Sequence, residues 1–145
     1  MKIQSEMEMK GRLTISLNDE VVQEVDNLVV TDGKEFVAKR MSGTTAGVMS
    51  HMAIGTDTTA AAASQAALVS ESARVTLTGT PAGVVSGATV TYTATFPAGS
   101  GTAAITEAGI FNANSGGDML CRTVFAVVNK GASDSMTITW VVTAS

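Results

Sequence analysis

Between residues 90 and 140 the sequence reads VTYTATFPAGSGTAAITEAGIFNANSGGDMLCRTVFAVVNKGASDSMTITW. Four runs alternate apolar with small polar residues, and segments rich in Gly, Asn, Ser and Asp separate them. A period of two sends apolar side chains to one face of an extended chain and polar ones to the other. In residues 90–96, Val90, Tyr92, Ala94 and Phe96 point one way and Thr91, Thr93 and Thr95 the other. Residues 136–143 repeat the pattern with Met136, Ile138, Trp140 and Val142. Strands like these must bury one face each. Short strands about ten residues apart, with turn signals between them, do so as a sandwich or barrel. The simplest connection for these last four strands is a meander.

The rest of the chain fits the same plan. Residues 12–17 (RLTISL) alternate as a half-buried strand, and Asn18-Asp19 supplies a turn. Val22, Val25 and Val29 would suit a helix, but the valine content of residues 20–30 favours extended structure. Thr31-Asp32 reads as a helix N-cap, and Phe36, Val37, Arg40 and Met41 follow at helical spacing, with Gly43 as a C-cap. Residues 48–54 read as a strand ended by Gly55, with Val48, Ser50, Met52 and Ile54 on one face. The low-complexity stretch TDTTAAAASQAA (56–67) has no large apolar anchor and is expected to be a surface loop. A further strand carries Ala73, Val75 and Leu77, and a kink is expected at Gly109. Residues 1–10, with Met7 and Met9, are expected to form a flexible arm that orders against a neighbour. Residues 11–145 then form a single domain. The expected fold is all-β: an antiparallel β-sandwich, jelly-roll-like, with one short helix near residues 33–42.

Composition narrows the function. Hydrophobic residues make up 45% and charged residues 15%, against an ordinary charged share of ~25%. That excludes intrinsic disorder and leaves a neutral surface of Thr, Ser, Ala and Gly, which suits a protein held inside an assembly. The net charge is −4 and the nine Lys and Arg are scattered, so nucleic acid is not an expected partner. One cysteine and one histidine cannot build a Cys-based zinc site, and no metal or cofactor is expected. The start lacks the apolar core of a secretory signal, and no run of ~20 apolar residues spans a membrane. The expected setting is the cytoplasm or a particle assembled there.

Candidate chemistry is sparse. His51 has no nucleophile or carboxylate near it in sequence, so a structural role is the better reading. Cys121 lacks a partner histidine, and on a strand Arg122 points to the opposite face; a buried small side chain is expected. Asp57, Asp118 and Asp134 sit at turns too far apart for a calcium loop. Glu107 differs. It lies in ITEAGIF among apolar and small residues, and a buried carboxylate needs donors or a cation. Arg74 and Arg122, both on expected strands, are the candidate partners in a clamp that fixes strand register. No catalytic constellation emerges, and an enzyme is the least expected class.

With the strands placed, seven segments carry a likeness: NLVVTDGKEFVAKRM, SHMAIGT with its Thr/Ala-rich loop, VSESAR, VTYTATFPAG, ITEAGIFN, MLCRTVF and DSMTITW. Together they resemble small β-rich virion proteins of tailed bacteriophages, especially the N-terminal attachment domain of tail-collar fibre proteins. The matching positions are Gly33-Lys34, Gly55-Thr56, Glu71 with Arg74, and Glu107, Gly109, Ile110 and Phe111, and the likeness covers about residues 27–142. It implies a homo-oligomeric structural subunit that meets other virion proteins in the neck or tail, as a collar, adaptor or fibre-like component. Fibre proteins continue into a long shaft, whereas this sequence stops at Ser145. The expectation is therefore an attachment-type domain standing alone, with capsid decoration as the alternative place. A lectin-like carbohydrate-binding module is the alternative outside this class. Thr91, Thr93 and Thr95, with Met7 and Met9 of the arm, are the expected interface residues.

Overall fold

A computed structural model describes residues 8–44 and 47–144. The elements run β1 (Met9–Leu17), β2 (Glu20–Val29), α1 (Thr31–Met41), β3 (His51–Gly55), β4 (Glu71–Thr76), β5 (Val84–Ser86), β6 (Thr89–Phe96), β7 (Ala103–Phe111), β8 (Met119–Lys130) and β9 (Met136–Ala144). Hydrogen-bonded neighbours follow the order β4-β3-β7-β8-β2-β1-β9-β6-β5, and every pairing is antiparallel. This ribbon folds over into two sheets, β4-β3-β7-β8 and β2-β1-β9-β6-β5. Strand pairing joins them where Leu28 and Val29 meet Arg122 and Cys121. On the far side Thr78 N donates to Thr93 O across 2.7 Å and draws the free ends together. The result is the expected all-β sandwich with one helix.

The alternation sets the core. Leu13 and Ile15 of β1, Ile138 and Trp140 of β9, and Phe96 of β6 face Met52 and Ile54 of β3, Ile105 and Ile110 of β7, and Phe125 of β8. Burial of these side chains is the main favourable term in folding, at roughly 1.5–3 kcal/mol each. Trp140 Nε1 donates to Asn27 Oδ1 at 2.9 Å, so the indole N–H is satisfied inside the core. Gly11 permits this: a Cβ there would lie 1.8 Å from Asn27 Oδ1.

Several expectations need correction. The last four strands are not a meander. Only β7 and β8 form a hairpin; β6 pairs with β9 and β5, and β9 inserts between β1 and β6. Successive hairpins alternate between sheets, so residues 97–102 and 131–135 cross the sandwich instead of reversing within one sheet. Alternation says which face of a strand is apolar, not which strand lies beside it. Buried Lys130 fastens both crossovers, donating from Nζ to Pro97 O at 2.9 Å and Asp134 O at 2.7 Å.

Met9 and Lys10, expected in the arm, instead belong to β1 opposite Ala144 and Thr143. Met9 packs against the core, and Met7 lies outside the described residues. β3 starts at His51 and not at residue 48; Val48 is exposed while Met49 is buried. Thr31 and Asp32 are helical, and no side chain caps the helix start at Val30. Asp32 Oδ2 instead accepts from Met119 N at 2.6 Å and ties α1 to β8. The irregularities of β7 flank Gly109, at Ile105/Glu107 and Ile110/Phe111, and do not fall on it.

Candidate functional site

The connection between β3 and β4, residues 56–70, is mostly exposed but lies flat against the sandwich. It lies as a strap over the outer face of β3, β7 and β8. Loops of this length without regular structure are uncommon in a compact domain, and six of the fifteen residues here are alanine. Leu68 is its one buried apolar side chain, so polar groups must supply the rest of the attachment.

Glu107 sits on the outer face of β7 in register with Gly55 of β3 and Val124 of β8. Arg122 stands diagonally across on β8, opposite Gly109. Diagonal neighbours on one face are within reach of long side chains. Arg122 donates to Glu107 Oε2 from Nη2 at 2.7 Å and from Nε at 2.9 Å, and both side chains are 0% exposed. Glu107 also takes strap backbone: Ser70 N donates to Oε1 at 2.7 Å and Val69 N to Oε2 at 3.2 Å. Arg122 grips the strap's other limb, with Nη1 donating to Thr59 O at 2.9 Å and Gln65 Oε1 at 3.0 Å. Thr106 Oγ1 donates to Asp57 O at 2.8 Å, and Thr31 N at the helix start donates to Ala63 O at 2.9 Å. Beneath the strap Leu68 closes a second small core with Val30, Ala53, Phe111 and Met119.

Two glycines let the strap descend this far. A Cβ at Gly55 would lie 2.2 Å from Ser70 O and 2.4 Å from Glu107 Oε1, and one at Gly109 would lie 3.0 Å from Leu68 Cδ2. A glycine inside a strand marks such a close approach, and this was the available sequence signal for the strap. Gln65 and Lys130 carried no comparable signal.

Of the two expected cations, the structure brings only Arg122 to Glu107. Arg74 lies on β4, with β3 between it and β7. It pairs instead with Glu71, Nε to Oε2 at 3.0 Å and Nη2 to Oε1 at 2.7 Å. Its Nη1 donates to Ala113 O and Gly116 O at 2.9 Å, and the guanidinium stacks 3.8 Å over the Phe111 ring. Arg74 thus holds the β7–β8 turn while Arg122 holds the strap.

The remaining candidates lie apart from this cluster. His51 Nδ1 is 2.8 Å from Ser50 Oγ; burial and then the charge of Arg74 lower its pKa, which keeps the ring neutral at pH 7. Cys121 is fully buried in the main core, and burial pushes its thiol well above the usual range. Thr91 and Thr93 are half-buried and Thr95 is exposed, with Thr95 Oγ1 3.0 Å from Thr137 Oγ1. Among the described residues no group of three His, Cys, Asp or Glu side chains is placed to hold a metal ion.

Asp134 closes the turn after β8. The Asn18 amide donates to its Oδ1 at 2.9 Å and Gly131 N to its Oδ2 at 2.8 Å. These bonds, the Asn18 one foremost, lower its pKa. A depressed folded-state pKa contributes stability above the unfolded value of ~3.9 that is lost as pH falls through the folded value. Asn18→Ala is expected to move the Asp134 titration midpoint upward, as read by NMR of its carboxyl carbon; an unchanged midpoint would exclude Asn18 as the cause.

Comparison of the chain with protein-family models, curated proteins and solved structures returned no match. The role of the cluster therefore rests on its geometry. Carboxylate and guanidinium are covered and mutually satisfied, and no buried side-chain nitrogen or oxygen among the described residues lacks a partner. Such an arrangement holds a segment in one position.

Proposed function

We propose that this chain is a structural subunit of a tailed-phage virion, placed in the neck or tail and assembling with copies of itself and with other virion proteins. The observation that carries this reading is the convergence of the residues behind the resemblance. Gly55, Glu107 and Gly109 meet at the strap, while Glu71, Arg74 and Phe111 form the adjoining anchor. Gly33 lets α1 seat on β8, since a Cβ there would lie 2.0 Å from Leu120 O. The short motifs thus share one physical task, fixing a sandwich with a strap and a helix laid onto it.

The surface favours assembly. The outer face of β6, β9 and β1 aligns Thr93, Thr139 and Thr14 in one row and Thr95, Thr137 and Ser16 in the next. Across these three strands the two rows contain no charge, and Glu24 of β2 borders the first beside Thr14. A neutral hydroxyl face can be covered by another subunit without the desolvation cost of buried ions. At the edge of the same sheet, β5 leaves Val84 63% and Val85 70% exposed, and an open edge of this kind invites strand pairing. The lectin alternative is disfavoured because all six aromatic residues are buried or half-buried, whereas sugar sites use exposed rings.

Light scattering of the purified chain is expected to give a multiple of its 14.7 kDa. Replacing Thr93 and Thr139 with lysine should return the mass to that of one chain. A monomer that binds glycans would overturn the reading in favour of a lectin. Antibodies to the chain should label particles at the neck or tail; labelling over the whole capsid surface would move it to decoration.

A further inference from the structure

The sheet edge at β5 borders an apolar hollow. Gly87 and Ala88 join β5 to β6 as a two-residue turn. Beside such a turn the closing pair, Ser86 with Thr89, is hydrogen-bonded, and the next pair, Val85 with Val90, is not. The N–H and C=O of Val85 therefore point away from β6, and among the described residues no strand lies there to meet them. On the inward side, Val85 and Val90 line a hollow of about 220 Å³ together with Val48, Pro81, Ala82 and Tyr92. That is several times the ~30 Å³ share of one water, yet apolar walls give water few partners.

We infer that this edge and hollow receive an extended, uncharged apolar segment of a partner protein, which adds to β5 as a further strand. Val85 supplies main-chain bonds, and the segment's inward side chains, at every second position, fill the hollow. The chemistry of the occupant follows from its surroundings. An edge of amides and carbonyls is met by another backbone, and an acyl chain has none to offer. Residues 75–106 contain no Asp, Glu, Lys, Arg or His, so a charged segment would lose its water and gain no partner. Sheet edges are commonly guarded by charge. At the other end of the strand order β4 carries Glu71 and Arg74, whereas β5 carries no charge. Size argues against a second copy meeting edge to edge. β5 has three residues, an edge ~10 Å long, and a stable dimer needs ~800 Å² from each partner. A partner segment runs on past β5 over the hollow and is not limited to that length. The inference rests on the edge itself and holds with or without the virion reading.

The test titrates the full chain into an end-capped, dye-labelled peptide of alternating valine and threonine and follows fluorescence anisotropy. The expected result is saturable binding, lost when the amides along one edge of the peptide are N-methylated. Val85→Pro removes only an outward N–H, which a sheet edge tolerates, and should weaken binding by about tenfold or more at an unchanged thermal midpoint. Val48→Lys, at a 59% exposed position on the rim of the hollow, should weaken it too and serves as the reading if Val85→Pro unfolds. Absence of saturable binding overturns the inference, as does equal binding by the N-methylated peptide or by both variants. An oligomer of the parent that Val85→Pro reduces to single chains also overturns it, because the edge then belongs to a second copy. A chain that is monomeric in light scattering and binds the peptide supports the inference and counts only against self-assembly.

Discussion

Arg122→Ala is expected to lower stability by ~3–5 kcal/mol, because it leaves the Glu107 carboxylate buried without its cation. For a chain of this size that is a fall of about 10 °C or more in the thermal midpoint. The same change removes the donors to Thr59 O and Gln65 Oε1. Limited proteolysis should then cut within residues 58–66, which the parent protects. Glu107→Gln should act in the same direction, since it leaves a buried guanidinium facing a neutral amide. Replacing both residues with leucine should recover much of the loss, as well-packed apolar pairs commonly match buried ion pairs in stability. Its strap should remain cleavable, because leucine cannot accept from Ser70 N or donate to Thr59 O. If Arg122→Ala melts with the parent and the strap stays resistant, the pair is not what holds the strap.

The second large effect is expected at Gly33, and its sign is unusual. In an exposed helix interior, alanine is favoured over glycine by ~1 kcal/mol. At Gly33 a Cβ would lie 2.0 Å from Leu120 O, with Leu120 C at 2.8 Å. These are backbone atoms of β8 and cannot swing aside. To admit the methyl group, α1 must lift from the sheet, straining the 2.6 Å bond between Asp32 and Met119 N and the packing of Phe36. Gly33→Ala should therefore destabilise by ~2–3 kcal/mol, measured by chemical denaturation. Lys34→Ala, on the exposed side of the same turn, should stay within ~0.5 kcal/mol. A Gly33→Ala chain that gains stability would show that the helix does not sit on β8 as described.

The two expectations about Glu107 show where sequence reasoning runs out. A carboxylate among apolar residues demands a cation, and that demand was legible in ITEAGIF. The choice between Arg74 and Arg122 was not, because it depends on strand order. β8 adjoins β7, while β4 is separated from it by β3, so Arg122 reaches Glu107 and Arg74 turns to Glu71 and Phe111. Residues 56–67 read as a surface loop for lack of apolar anchors, and they do lie at the surface, mostly exposed; the sequence does not mark how they are held. Beside Gln65 and Leu68 the strap's anchors are backbone amides and carbonyls, which every residue has and no sequence pattern marks.

By itself the sequence determined the strand faces, the single helix, the burial of Trp140 and Cys121, and the requirement that Glu107 find a partner. Each follows from spacing along the chain and the cost of exposing or burying one side chain. Only the tertiary structure decided that β6 and β9 pair across the long separation between them, that Lys130 ties two crossovers, and that Gly33, Gly55 and Gly109 clear ground for a helix and a strap. Those outcomes depend on distances between segments far apart in sequence. Such distances are fixed when two apolar sheets close on one core, and residue spacing does not contain them.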